Sequence, residues 1–207
     1  MGDGLTIAEV VERRGANKQP PPPVDSLDVR QRARRDRIVQ ATVQLMGDHD
    51  YDSLQMKDIT AAAGVALGTT YRYFSSKDHL VAEGLLAWSE QFRREGDTPP
   101  GRSVDRLKVA FRRAARAFEL YPCIYGHMLA VQASTDPLAM EVFARFAERR
   151  RDSFGSFVAR VPEPRRDRVV AVMTAVLTTH LRSWTLGHES IEQVYAQLDS
   201  AAELLLD

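Results

Sequence analysis

Between Leu54 and Leu80 the chain reads LQMKDITAAAGVALGTTYRYFSSKDHL, a stretch that admits few folds. Met56 and Ile59 stand one helical turn apart, Ala61 to Ala63 are small enough for close helix contact, and Gly64 falls where the first short helix must stop and reverse. Val65 is expected to bury the turn. The next segment, Leu67 to Phe74, carries Thr69, Thr70, Tyr71, Arg72 and Tyr73 within about two turns. Hydroxyl, phenol and guanidinium groups at that density suit phosphate oxygens and base edges, so the pattern predicts a helix-turn-helix that reads DNA. The plainer alternative makes Tyr71, Tyr73 and Phe74 core aromatics of a helical domain. Phe74 suits that role. Its neighbours Tyr71 and Tyr73 cannot both share its face, because successive helical residues are turned by about 100°.

Residues 68–80, GTTYRYFSSKDHL, resemble the GTLYxYFxSKxxL signature of the tetracycline-repressor (TetR) family of bacterial regulators, within a match that runs from Ile38 to Leu86. The resemblance implies an all-α fold of about nine helices, with a three-helix DNA-binding head and a helical body that takes a small molecule and dimerises. Carried over position by position, it implies DNA contacts from Gly68, Thr69, Tyr71, Arg72 and Tyr73, a phosphate contact from Lys77, and a base or phosphate contact from Lys57. Two positions depart from the pattern. Gln55 stands where the family has a capping Thr, so Ser53 is expected to cap instead. Thr70 replaces a buried Leu, which predicts altered packing of the recognition helix. The segments LQM, YPCIYGHMLA and DPLAMEVF are similar to actinobacterial repressors of sterol catabolism within the family, which implies a sterol-derived or acyl-thioester effector.

The 28 basic and 28 acidic residues cancel, so no global field draws this chain to nucleic acid. Attraction must be local. Arg30 to Arg37 holds five arginines and one aspartate, and Arg34 is the candidate clamp on the phosphate backbone at the start of the first helix. A solvated helix start is the alternative, and Asp48, Asp50, Asp52 and Asp58 offset much of the charge. An architectural DNA binder should be more basic and would not need so large a helical body. Metal-ligand spacings, a Gly-rich phosphate loop after a strand and a Ser-His-Asp arrangement are all missing from the sequence, so an enzyme is not expected, nor a metal or cofactor. A single cysteine, Cys123, fits a reducing compartment, and no apolar run reaches membrane-spanning length, so the expected location is the cytoplasm.

The run Pro20 to Pro23 predicts a disordered Pro-rich tail over residues 1–27, with a transient helix at 7–13, ahead of the head at 28–75 and the body at 76–207. A first helix is expected from Val29 to Gly47. A fourth, opened by Ser76, aligns Val81, Leu85, Trp88 and Phe92 and should connect head to body. GDTPPG, residues 96–101, breaks the pattern before a stripe from Val104 to Tyr121 that Pro122 ends. Asp136 and Pro137 form a cap and first-turn pair. The last two helices, about Arg165 to Leu186 and Ser190 to Leu206, meet at Gly187. The resemblance implies that they pair with a second copy in a four-helix bundle; packing on their own chain is the alternative.

Aromatic and Met residues crowd the body. Phe111, Phe118, Tyr125, Met128, Phe146 and Met173 are candidates to line an apolar effector pocket, although each alone also suits a core. Arg150, His180, His127 and Gln132 are polar groups in or beside those stripes. Arg150 is placed to meet a carboxylate or thioester, or else to extend its charge to water along an aliphatic stem.

Overall fold

The computed structural model describes residues 20–94 and 100–206. The transient helix at 7–13, the side chain of Phe92 and most of the break at 96–101 lie outside the described residues. Nine α-helices and no strand occur among those described. They are α1 (Val29–Asp48), α2 (Met56–Ala62), α3 (Leu67–Tyr73), α4 (Lys77–Arg94), α5 (Ser103–Leu120), α6 (Cys123–Gln132), α7 (Pro137–Phe157), α8 (Arg165–Thr185) and α9 (Ile191–Leu206).

The ends of these helices follow from local chemistry. Asp28 caps α1 reciprocally: its carboxylate accepts from Gln31 N at 2.8 Å while Gln31 Oε1 accepts from Asp28 N at 3.1 Å. Residues 24–27, within the expected tail, carry regular structure instead. Val24–Ser26 form a 3-10 turn and Leu27 is buried, because an apolar residue just outside the capping box can fold back onto the head. Ser53 does not cap α2. Its hydroxyl donates to Asp50 O at 3.0 Å, and Gln55 takes the cap position without a side-chain bond. Gly64, at φ 64°, supplies the left-handed turn between α2 and α3. Ser76 Oγ accepts from His79 N at 3.0 Å and so opens α4. Asp136 caps α7, accepting from Leu138 N at 2.9 Å ahead of Pro137 at the first position.

Packing turns on α4, which lies against α1, α6 and α7. Leu80, Val81, Leu85 and Trp88 form its inner stripe. Gly84 sets the approach to α1: a Cβ there would stand 2.7 Å from Met46 Sδ and 3.1 Å from Thr42 Cγ2. In the body α5 packs on α9, and α9 on α8 across the turn at Gly187, φ 74°. Val169, Met173, Leu177 and Leu181 of α8 meet Val194, Leu198 and Ala202 of α9 in one continuous core. Both helices also carry apolar side chains outward. Val172 is 45% and Leu204 89% exposed.

Candidate DNA-reading head and effector cavity

The recognition helix has two unlike faces. Leu67, Gly68 and Arg72 are exposed, with Thr69 and Tyr71 half-buried beside them. Thr70 and Tyr73, one turn apart, point inward at 0% and 3% exposure. Tyr73, expected at the DNA, is thus a core ring: the period that carries Thr70 into the head carries Tyr73 with it. Neither the Thr70 nor the Tyr73 hydroxyl finds a hydrogen-bond partner among the described residues.

The basic residues divide in the same way. Arg34 and Lys57 are exposed. Arg35 turns in, where it pairs with Glu83 at 2.6 Å and lies 5.1 Å from the Phe74 ring centre. Lys77, expected at a phosphate, donates to Tyr51 O and sits 3.9 Å from the Tyr51 ring centre. Burial lowers its pKa, against the opposing pull of Asp52 and Asp78. Lys77 therefore holds the loop between α1 and α2. Its distant partner Tyr51 has no sequence signal.

Several hydrogen bonds tie head to body. Ser75 and Ser76, which follow the recognition helix, both donate to the Asp136 carboxylate. Burial pushes Asp136 up, but the bonds from Ser75 and Ser76 outweigh it and leave the carboxyl below its ordinary range. Tyr51 and Ser134 donate to Asp78 from opposite sides. His127, read from sequence as a pocket-edge group, belongs to this junction. It is fully buried, and its Nε2–H donates to His49 O at 2.8 Å.

A cavity of about 1300 Å³ opens between α4, α5 and α7, with Tyr195 of α9 at its edge. Trp88, Phe118, Phe146 and Phe154 supply its aromatic walls, and Arg150 lies among them. Of the expected lining, Phe118, Phe146 and Arg150 are present; five others stand elsewhere. Phe111 is buried behind the wall, stacked on Phe154 with ring centres 4.1 Å apart. Tyr125 is buried and donates to Thr178 O at 2.7 Å, while Met128 and Met173 are core side chains. His180 bonds Glu189 at 2.8 Å across the Gly187 turn, a local pairing that removes it from the cavity. Gln132 is exposed at the end of α6. Trp88 was legible only as a stripe residue; its place in the wall comes from packing α4 against α5.

Arginines also line the cavity, and most are engaged. Arg112 donates to Asp199 at 2.9 Å, Arg116 pairs with Glu119 at 2.7 Å, and Arg149 with Glu90 at 2.9 Å. Arg150 lies 5.4 Å from the Phe146 ring centre with one nitrogen 4.0 Å from Met128 Sδ.

Residues 38–83, which span the inner half of α1, α2, α3 and the start of α4, match the family described as bacterial regulatory proteins, tetR family. The HTH-type transcriptional repressor KstR of Rhodococcus jostii strain RHA1 is 30% identical over 187 residues, covering 85% of this chain and 84% of that protein. KstR of Mycobacterium tuberculosis is 30% identical over 185 residues, 85% of this chain and 82% of its own. Among solved structures, a TetR transcriptional regulator from Rhodococcus sp. RHA1 superposes with a TM-score of 0.76 at 21% identity, covering 86% of this chain and 97% of that one. A transcriptional regulator FadR from Bacillus subtilis in complex with stearoyl-CoA superposes with a TM-score of 0.63 at 14% identity, covering 83% and 97%. The reading head, the helical body and the extent of the likeness to KstR agree: the chain belongs to the tetR family of bacterial regulatory proteins.

Proposed function

We propose that this protein is a repressor that binds a palindromic operator as a homodimer and is released by an elongated apolar effector of sterol or acyl type. The observation that carries the reading is the position of the cavity. It is walled by Trp88, Ser89 and Glu90 of α4, the helix that follows the recognition helix in the chain after the short link 74–76. An effector that prefers a tilted α4 would move the heads. A hundredfold loss of operator affinity requires about 2.7 kcal/mol of differential binding.

On this reading residues 28–75 are the head and 76–207 the body. Arg34 and Lys57 meet phosphates, while Gly68, Thr69, Tyr71 and Arg72 face base edges and the adjoining backbone. The last two helices of each copy, α8 and α9, form a four-helix bundle that sets the two heads about 34 to 36 Å apart on successive major grooves. FadR, solved with stearoyl-CoA, supports the reading as an instance of the fold holding an acyl chain.

Selection of bound sequences from random duplexes tests it. The expected product is one site with two-fold symmetry, bound by the wild type and weakened at least tenfold by Arg72→Ala, a loss of about 1.4 kcal/mol. Enrichment of asymmetric or unrelated sequences would remove the dimeric repressor, and a small ratio of specific to random affinity across a salt titration would favour an architectural role.

A further inference from the structure

The charges around the cavity do not balance in the same way at every point. At its edge the cations are spent within the protein: Arg112 on Asp199, Arg116 on Glu119 and Arg149 on Glu90, and Arg113 is not free either. Arg150 differs. Among the described residues no carboxylate pairs with it, and its neighbours are the Phe146 ring and the Met128 sulfur. Burial lowers its pKa, with only the Tyr125 phenol acting in the other direction. A guanidinium held among aromatic walls without a counter-charge is costly to desolvate, and a carboxylate offers the planar two-pronged acceptor that offsets this cost. A polyanionic head group would need uncommitted cations at the mouth, where Arg112, Arg116 and Arg149 already hold protein carboxylates. An uncharged ligand would leave Arg150 uncompensated in a still drier site.

We propose that the effector is an amphipathic monocarboxylic acid, bound with its free carboxylate on Arg150 and its hydrocarbon body along Trp88, Phe118, Phe146 and Phe154. The assignment rests on the ligand-responsive reading above and narrows it to one polar end group. Fatty acids and steroid acids share this chemistry, and the experiment separates them.

Oleate and lithocholate, each beside its methyl ester and its coenzyme A thioester, are titrated by calorimetry below micellar concentrations into wild type, Arg150→Gln and Arg150→Lys. At least one acid is expected to bind the wild type about tenfold or more tightly than its ester and thioester, as a charge-assisted pair in a dry site should. Arg150→Gln should bring acid and ester within about twofold, and Arg150→Lys should retain most of the preference. Should Arg150→Gln not fold, Arg150→Met, which keeps the aliphatic length, carries the same comparison. Equal affinity of acid and ester, a preference that survives loss of the guanidinium, or binding by neither acid overturns the proposal. Release of the selected operator by a thioester while both acids are inert also overturns it and leaves the ligand-responsive repressor standing. Acid binding through Arg150 without any effect on operator affinity does the reverse.

Discussion

Asp136 accepts a hydrogen bond from Ser75 Oγ at 2.6 Å while its other carboxylate oxygen caps Leu138 N at 2.9 Å. One side chain thus starts the body helix α7 and fastens it to the segment just beyond the recognition helix. Asp136→Ala should lower the unfolding free energy by about 2 kcal/mol, combining a lost cap with unpaired serine hydroxyls at a partly exposed site. Asp136→Asn should cost less, since it keeps the capping oxygen. Urea unfolding measures both; equal stability of Asp136→Ala and wild type would show that the tie contributes nothing.

Thr70 packs at 0% exposure, and its hydroxyl has no partner among the described residues. Thr70→Val keeps the shape and removes the orphan polar group, so it should stabilise the protein by about 1 kcal/mol. Operator affinity should stay within about twofold, because the side chain faces the head interior. A drop in thermal midpoint would mean that the hydroxyl is bonded in solution.

His127 is fully buried, and burial is the main cause of its lowered pKa, with the bond to His49 O and the Asp50 charge acting against it. Below the unfolded value of about 6.5 the unfolded chain takes up a proton that the native ring refuses, so stability falls on acidification. The slope is up to about 1.4 kcal/mol per pH unit for each such histidine, until the native ring is protonated too. His79 is lowered chiefly by burial as well and adds to the same slope. Unfolding between pH 7 and 5 should therefore be shallower in pH for His127→Gln than for wild type; parallel curves would contradict the assignment.

Val172 on α8 and Leu204 on α9 are exposed at 45% and 89% on the helices proposed to pair between copies. Val172→Glu and Leu204→Glu together should shift the protein from dimer to monomer in sedimentation at micromolar concentration, with operator affinity falling at least tenfold. An unchanged dimer would place the interface on another face.

Features written in short-range chemistry are legible in the sequence. Gly64 and Gly187 mark turns because only they take positive φ cheaply, and Asp136 with Pro137 announces a helix start. The two-helix reading unit is an equally local pattern, whereas the packing of the last two helices on each other stands in the sequence only as an alternative to pairing with a second copy. The inward turn of Tyr73 is not written in the signature, which reports residue type, whereas the helical period relative to Thr70 decides which way the ring points. Lys77, His127 and His180 depended on partners that sequence spacing does not announce: Tyr51 O, His49 O and Glu189. The aromatic stripes of the body identified a core, but which rings wall the cavity depends on how far α4 and α5 separate, and no stripe encodes that distance.

Helix α7 runs without interruption for 21 residues, from the Asp136 cap past Arg150 to Phe157. At 1.5 Å per residue it is a rod of about 30 Å, with its cap against the head and Arg150 in the cavity. Such a rod cannot be retuned at one end alone. Inserting one residue near Ala144 would turn Arg150 by about 100° around the axis relative to Asp136, so the cap at the head and the guanidinium in the cavity could not both keep their present places, although neither contact had changed in composition.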